Sequence, residues 1–123
     1  MAQTCLVVDD SRTVRKIARR MLEANGFTVC EAEDGSLALT ACREAMPDCV
    51  LLDWNMPVMN GLDMLKALRA DGYDDTKVMM VTTEAENDFI VRALDAGADE
   101  YLMKPFDDEA LTEKLAIMGL VEA

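Results

Sequence analysis

The chain has 123 residues, 51% of them hydrophobic and 29% charged, and its 24 acids against 12 basic residues give a formal net charge of -12. That length suits one domain with a real core, and that composition excludes a disordered chain. A field of that sign repels phosphate backbones and anionic lipid, so nucleic acid is a poor partner, and no apolar run approaches the roughly 20 residues of a membrane span.

The opening "MAQTCLVVDD" shows no basic region followed by an apolar core and a small-residue cleavage site, so the expectation is a cytoplasmic protein. Short β-rich runs follow at "TCLVV" (4–8), "FTVCE" (27–31), "CVLL" (49–52), "KVMMV" (77–81) and "EYLM" (100–103). Between them the apolar spacing turns helical. The first such segment, "SRTVRKIARRMLEANG", places Val14, Ile17, Ala18, Met21 and Leu22 on one face and Gly26 at its end. The second, "SLALTACREAM", stops before Pro47. The third presents Leu62, Leu65 and Leu68 and closes at Gly72. The fourth presents Phe89, Ile90, Ala93 and Leu94 and closes at Gly97, and the fifth is "DDEALTEKLAIMGL".

Five β–α pairs in alternation predict an α/β fold: one five-stranded parallel sheet with helices on both faces, a single domain over 1–123. Near-continuous apolar strands suit a sheet covered on both sides. The four cysteines (Cys5, Cys30, Cys42, Cys49) lack zinc spacing and there is no histidine; those in the strands read as small buried hydrophobes. Most of the 10 methionines read as core filler.

In a parallel sheet, ligands gather outside the carboxyl ends of the strands. The first strand delivers Asp9 and Asp10 there, the third Asp53, the fourth Thr82 and Thr83, and the fifth Lys104 before Pro105. The second ends at Glu31, without an obvious reactive group. Two like charges at about 4 Å and an effective dielectric near 20 repel by roughly 4 kcal/mol, so clustered acids need a proton, the lysine or a divalent cation. Hard oxygen donors without histidine select Mg²⁺, with Mn²⁺ possible, over zinc, and magnesium in turn implies a phosphoryl group. Asp53, alone on its strand, is then the best nucleophile for an acyl phosphate, with Asp9 and Asp10 as the metal-holding pair. Lys104 and a threonine hydroxyl can meet phosphoryl oxygens.

Each residue has a plainer reading. Asp9, Asp10 or Ser11 can cap the first helix, Asp53 can be a turn acid, Lys104 a solvated amine and Thr82 a helix cap. Tyr101 suits half-buried packing, and Glu84 and Glu86 suit a first helical turn. Those readings together require every one of these strand ends to acquire its reactive group by accident.

The motifs "VVDDS", "DWNMPVMNG", "VTTEAE" and "YLMKPF" resemble, in order and spacing, the receiver domain of two-component response regulators, over essentially the whole chain. The resemblance implies the flavodoxin-like strand order 2-1-3-4-5. It implies a sensor histidine kinase whose phosphohistidine supplies Asp53, and Mg²⁺ held by Asp10, Asp53 and the backbone carbonyl of Asn55, with Asp9 acting through water. Lys104 would pair with the phosphate, and its peptide to Pro105 would be cis. Thr82 would swing toward the phosphate and Tyr101 inward behind it, changing the face formed by the last two helices and the fifth strand. Asn55 and Glu84 match positions that tune hydrolysis. Thr83 departs from the small residue usual after the switch threonine and is expected to narrow access to the phosphoryl site.

A phosphatase of the haloacid dehalogenase type also puts an acid at a strand end, but it wants a second acid two residues on, where this chain has Asn55. A docking module with vestigial carboxylates leaves Lys104 and Thr82 unexplained. The protein is therefore read as a phosphoacceptor rather than an enzyme, catalysing only its own phosphorylation and slow dephosphorylation. Its output is expected through protein contact, with a flagellar motor switch protein in chemotaxis. The alternative is a relay to a histidine phosphotransfer domain in cell-cycle or stress signalling.

Overall fold

The computed structural model describes residues 3–83 and 87–122. Its elements alternate: β1 (Thr4–Val8), α1 (Arg12–Ala24), β2 (Thr28–Ala32), α2 (Gly35–Glu44), β3 (Cys49–Asp53), α3 (Gly61–Ala70), β4 (Lys77–Thr82), α4 (Asn87–Asp95), β5 (Glu100–Met103) and α5 (Asp108–Ile117). The strands form one parallel sheet in the order β2-β1-β3-β4-β5, the expected doubly wound arrangement.

Strand residues alternate between two cores, as a period of two requires. Leu6, Val8, Val50, Leu52, Val78 and Met80 pack with residues of α2, α3 and α4 on one face. Cys5, Val7, Cys49, Leu51, Met79 and Val81 meet Ala18 and Leu22 of α1 and Leu111 and Leu115 of α5 on the other. All of β3 is buried, which is why its apolar run does not alternate.

Helix ends follow local chemistry. Ser11 caps α1 by accepting the Val14 N–H, and Asp34, Asn60 and Asp107 cap α2, α3 and α5 in the same way. Gly26, at φ +90°, ends α1: its N–H reaches the Glu23 carbonyl while Phe27 N–H reaches that of Leu22.

Three apolar positions are more exposed than expected. Ile17 and Leu94 are each 46% exposed, because the buried stripes of their helices narrow to Ala18 and Leu22 and to Ala93. Cys30 is exposed because β2 is an edge strand whose α2-side face is covered at Ala32 but not at Thr28 or Cys30. Cys5, Cys42 and Cys49 are buried free thiols.

Two charged knots tie the helices to the sheet. At the end of β2, Glu31 receives Arg15, Lys16 and Arg19 of α1 at 3.1, 2.9 and 2.7 Å. Burial works against its charge, but the three cations outweigh it and hold its pKa down to about 2, against an ordinary 4.5. A carboxyl depressed on folding adds stability above its unfolded pKa and loses it as pH falls toward the folded one. Glu31→Gln is thus expected to lose on the order of 1 kcal/mol at neutral pH, the deficit closing as pH falls from about 4.5 to about 2. Urea unfolding of both proteins across that range checks it.

At the opposite edge of the sheet, the Arg69 guanidinium donates to the carbonyls of Tyr73, Thr76 and Gly97, at 2.6 to 3.1 Å, and to the Asp99 carboxylate. It joins the C-terminal end of α3 to the starts of β4 and β5.

Candidate functional site

The carboxyl ends of β1, β3 and β5 bring four charged groups together, with Thr82 of β4 beside them. Asp9 is buried just beyond β1, its N–H on the Ala32 carbonyl. One of its carboxylate oxygens accepts the Ser11 N–H at 2.8 Å; the other accepts Lys104 Nζ at 2.7 Å. Asp53 is the last residue of β3, paired in register with Val81 and 6% exposed, and its Oδ1 lies 3.1 Å from Lys104 Nζ. Asp10 is exposed at the mouth. One oxygen from each of Asp9, Asp10 and Asp53 lies within 4.8 Å of the others, within reach of a single cation.

The electrostatics are those of an under-compensated acid cluster. Burial and the neighbouring Asp9 push the Asp53 carboxyl up from 3.8 to about 6, although Lys104 pulls it down. Burial opposes the Lys104 charge in turn, but hydrogen bonds and attraction from Asp9 and Asp53 hold its pKa above the ordinary value. Three carboxylates against one ammonium leave a deficit of two positive charges. A hard divalent cation fits that donor set and that charge.

Lys104 is placed by its backbone, whose N–H donates to the Thr82 carbonyl at 2.9 Å, and its peptide to Pro105 is cis. Thr82 is buried at the end of β4, beside Asp53 on β3. Thr83 is exposed and, with Val14, Ile17, Lys104, Pro105 and Phe106, lines a surface cavity of about 350 Å³. Asn55 is exposed immediately after the strand. Tyr101 stands apart, half-buried on the edge strand, with Lys114 Nζ 4.5 Å from its ring centre. Glu84, expected to tune turnover, lies outside the described residues, as does Glu86.

The turn after Asp53 is held from below by glycine. Gly61 N–H donates to the Trp54 carbonyl at 2.9 Å, and a Cβ at Gly61 would lie 2.2 Å from the Asp53 carbonyl oxygen. Trp54 N–H donates to the Val81 carbonyl at 3.0 Å, so backbone bonds grip Trp54 from both sides. The predicted cap of α1 falls to Ser11, with Asp9 bonded to the Ser11 N–H and facing the site.

A family model for the response regulator receiver domain matches residues 5–116. This chain belongs to that family. The receiver domain is 44% identical over 112 residues to the chemotaxis protein CheY of Pseudomonas aeruginosa, covering 89% of this chain and 90% of that protein. It is 41% identical to the DNA-binding response regulator MtrA of Mycolicibacterium smegmatis, covering 94% of this chain but 50% of MtrA. Among solved structures, the Vibrio cholerae chemotaxis protein CheY4 superposes with a TM-score of 0.90 at 35% identity, covering 95% of this chain and 98% of that one. The Francisella response regulator 1452 receiver domain follows at 0.88 and 29%, covering 94% of this chain and 95% of that one. In this receiver domain, among the described residues, no helix is long and apolar enough to cross a membrane.

Residue order along the chain leaves two parts of the site region unread. Glu31, which has no reactive role in sight from its strand, is the anchor of α1. Phe89 and Arg92 of α4 lie against Trp54, and the only sequence signal was the helical spacing of Phe89.

Proposed function

We propose that this receiver domain is a cytoplasmic phosphoacceptor signalling protein, in which a sensor kinase's phosphohistidine transfers its phosphoryl group to Asp53. The observation that carries this reading is Lys104 Nζ bonded to Asp9 and lying 3.1 Å from Asp53, inside a three-carboxylate cluster. The Asp53 carboxylate attacks phosphorus, the P–N bond to the donor imidazole breaks, and the nitrogen keeps the electron pair. Lys104 would pair with a phosphoryl oxygen and Thr82 would donate its hydroxyl to another. Asp10, Asp53 and the Asn55 carbonyl would hold Mg²⁺ or Mn²⁺, with Asp9 behind a water. Such a cation neutralises the carboxylates and the phosphoryl oxygens when bound.

Output is proposed through the face of α4, β5 and α5, with Tyr101 moving as Thr82 turns. Likeness to CheY proteins over most of both chains supports a chemotaxis role, with a flagellar motor switch protein as the target.

The test adds a small phosphodonor with and without Mg²⁺ and looks by mass spectrometry for one phosphoryl group labile to hydroxylamine. Beryllofluoride, a phosphoryl mimic, is titrated in parallel while Trp54 fluorescence is followed. Labelling that needs the metal, with a saturable fluorescence change, supports the reading; the absence of both responses overturns it.

Thr83 lines a surface cavity together with Lys104, and its β-branched side chain would narrow that approach. Thr83→Ala is expected to speed both labelling by a small donor and decay of the acyl phosphate by a factor of a few. Unchanged rates would remove Thr83 from the account.

A further inference from the structure

Trp54 follows Asp53 directly, and its buried indole meets two side chains on adjacent turns of α4. The Phe89 ring approaches edge-on, with centroids 5.3 Å apart and planes at 72°. The Arg92 guanidinium carbon lies 5.5 Å from the indole centroid and 5.8 Å from that of Phe89. Positions i and i+3 are neighbours on a helix face, so one short stretch of α4 supplies both contacts. Edge-to-face is a favoured arrangement for an aromatic pair, and a cation is drawn to the electron-rich ring faces.

The rest of α4 has a shallow hold on the domain. Among its residues 88–95 Ala93 alone is buried, while Val91 and Leu94 are 51% and 46% exposed. Trp54 itself is held at both backbone groups, by Val81 and Gly61. The indole therefore links a fixed point beside Asp53 to a lightly seated helix. Arg92 also borders a groove between α3 and α4 with Leu62, Lys66, Asp95 and Ala96, so Lys66 and Asp95 are its charged neighbours there.

We propose that Phe89 and Arg92 are positioning residues for the Asp53 site: they clamp Trp54, so that occupancy at Asp53 and the seating of α4 are coupled through the indole. This rests on the reading of Asp53 as the phosphoryl site. With its backbone bonded to Val81 and Gly61 and its indole held by Phe89 and Arg92, Trp54 fixes the turn that a bound phosphoryl group must meet. Coupling between binding sites is reciprocal: a partner on α4 that draws Arg92 away from the rings weakens binding at Asp53 by the same factor that ligand at Asp53 weakens the partner.

The probe is beryllofluoride with Mg²⁺, titrated by calorimetry so that the readout is independent of Trp54 emission. Arg92→Gln is expected to weaken binding about three- to tenfold and to shift Trp54 emission, with little change in ligand-free melting because Arg92 is exposed. Arg92→Lys restores most of the affinity, since an ammonium also binds ring faces. Lys66→Gln removes a cation from the same groove but none from the rings, and leaves affinity unchanged. Unchanged or tighter binding in Arg92→Gln overturns the clamp. An equal loss in Lys66→Gln also overturns it, reducing the effect to general charge. No binding by the unsubstituted protein fails the phosphoryl reading itself and the inference with it, which separates the two failures.

Discussion

Asp53→Asn is expected to abolish phosphoryl labelling while making the metal-free protein more stable at neutral pH. The loss is chemical, because an amide is a far weaker nucleophile than a carboxylate. The gain is electrostatic. Burial and Asp9 raise the Asp53 pKa from 3.8 to about 6, so between those values the folded state binds the extra proton. Stability then falls as pH rises through that window, and above about 6 the full penalty is present. One pKa unit corresponds to about 1.4 kcal/mol, so removing the acid returns on the order of 1–3 kcal/mol at neutral pH and almost nothing below the unfolded value. Thermal melts at neutral and acidic pH, beside a labelling assay, check both halves. Robust labelling of the variant would sink the assignment of Asp53. A destabilised variant at neutral pH would show instead that the Lys104 contact outweighs the repulsion.

Gly61→Ala carries the second large effect. The new methyl would lie 2.2 Å from the Asp53 carbonyl oxygen, 3.0 Å from its carbon and 3.1 Å from Trp54 Cα, all backbone atoms that no rotamer change removes. Something must shift, and the atoms at risk are those that aim Asp53. The expected cost is about 2–4 kcal/mol, with metal and beryllofluoride binding weakened along with stability. Gly26→Ala is the comparison: at φ +90° it is strained but meets nothing within 4 Å. It should cost roughly 1–2 kcal/mol and leave ligand binding intact. Equal losses of binding in the two variants would mean that Gly61 acts through general stability.

Sequence reasoning brought Asp9, Asp53 and Lys104 to one edge because a parallel sheet converts chain order into place. Once "CVLL" and "EYLM" are parallel strands, Asp53 and Lys104 must emerge at the same edge, and the structure has Lys104 Nζ 3.1 Å from Asp53. Helical spacing likewise marked Leu65, Leu68 and Ala93 as buried. It could not mark the width of the stripe, so Ile17 and Leu94 were counted inward although each stands one step beyond the residue that is buried. Long polar side chains were less legible still. Glu31 becomes an anchor only because α1 lies over β2, and Arg69 finds three carbonyls, two in the loop before β4 and one in the loop before β5. The Arg92 contact with Trp54 depends on the seating of α4 over β3's exit, which periodicity does not specify.

The Arg69 knot has a mechanical consequence. It grips the Gly97 carbonyl through two nitrogens, at 3.1 and 2.8 Å, just beyond the last turn of α4. The other half of that helix is steadied through Phe89 and Arg92 on Trp54. A tilt of α4 driven from the indole would therefore pivot at Gly97, and Val91, further from that pivot than Leu94, would travel further.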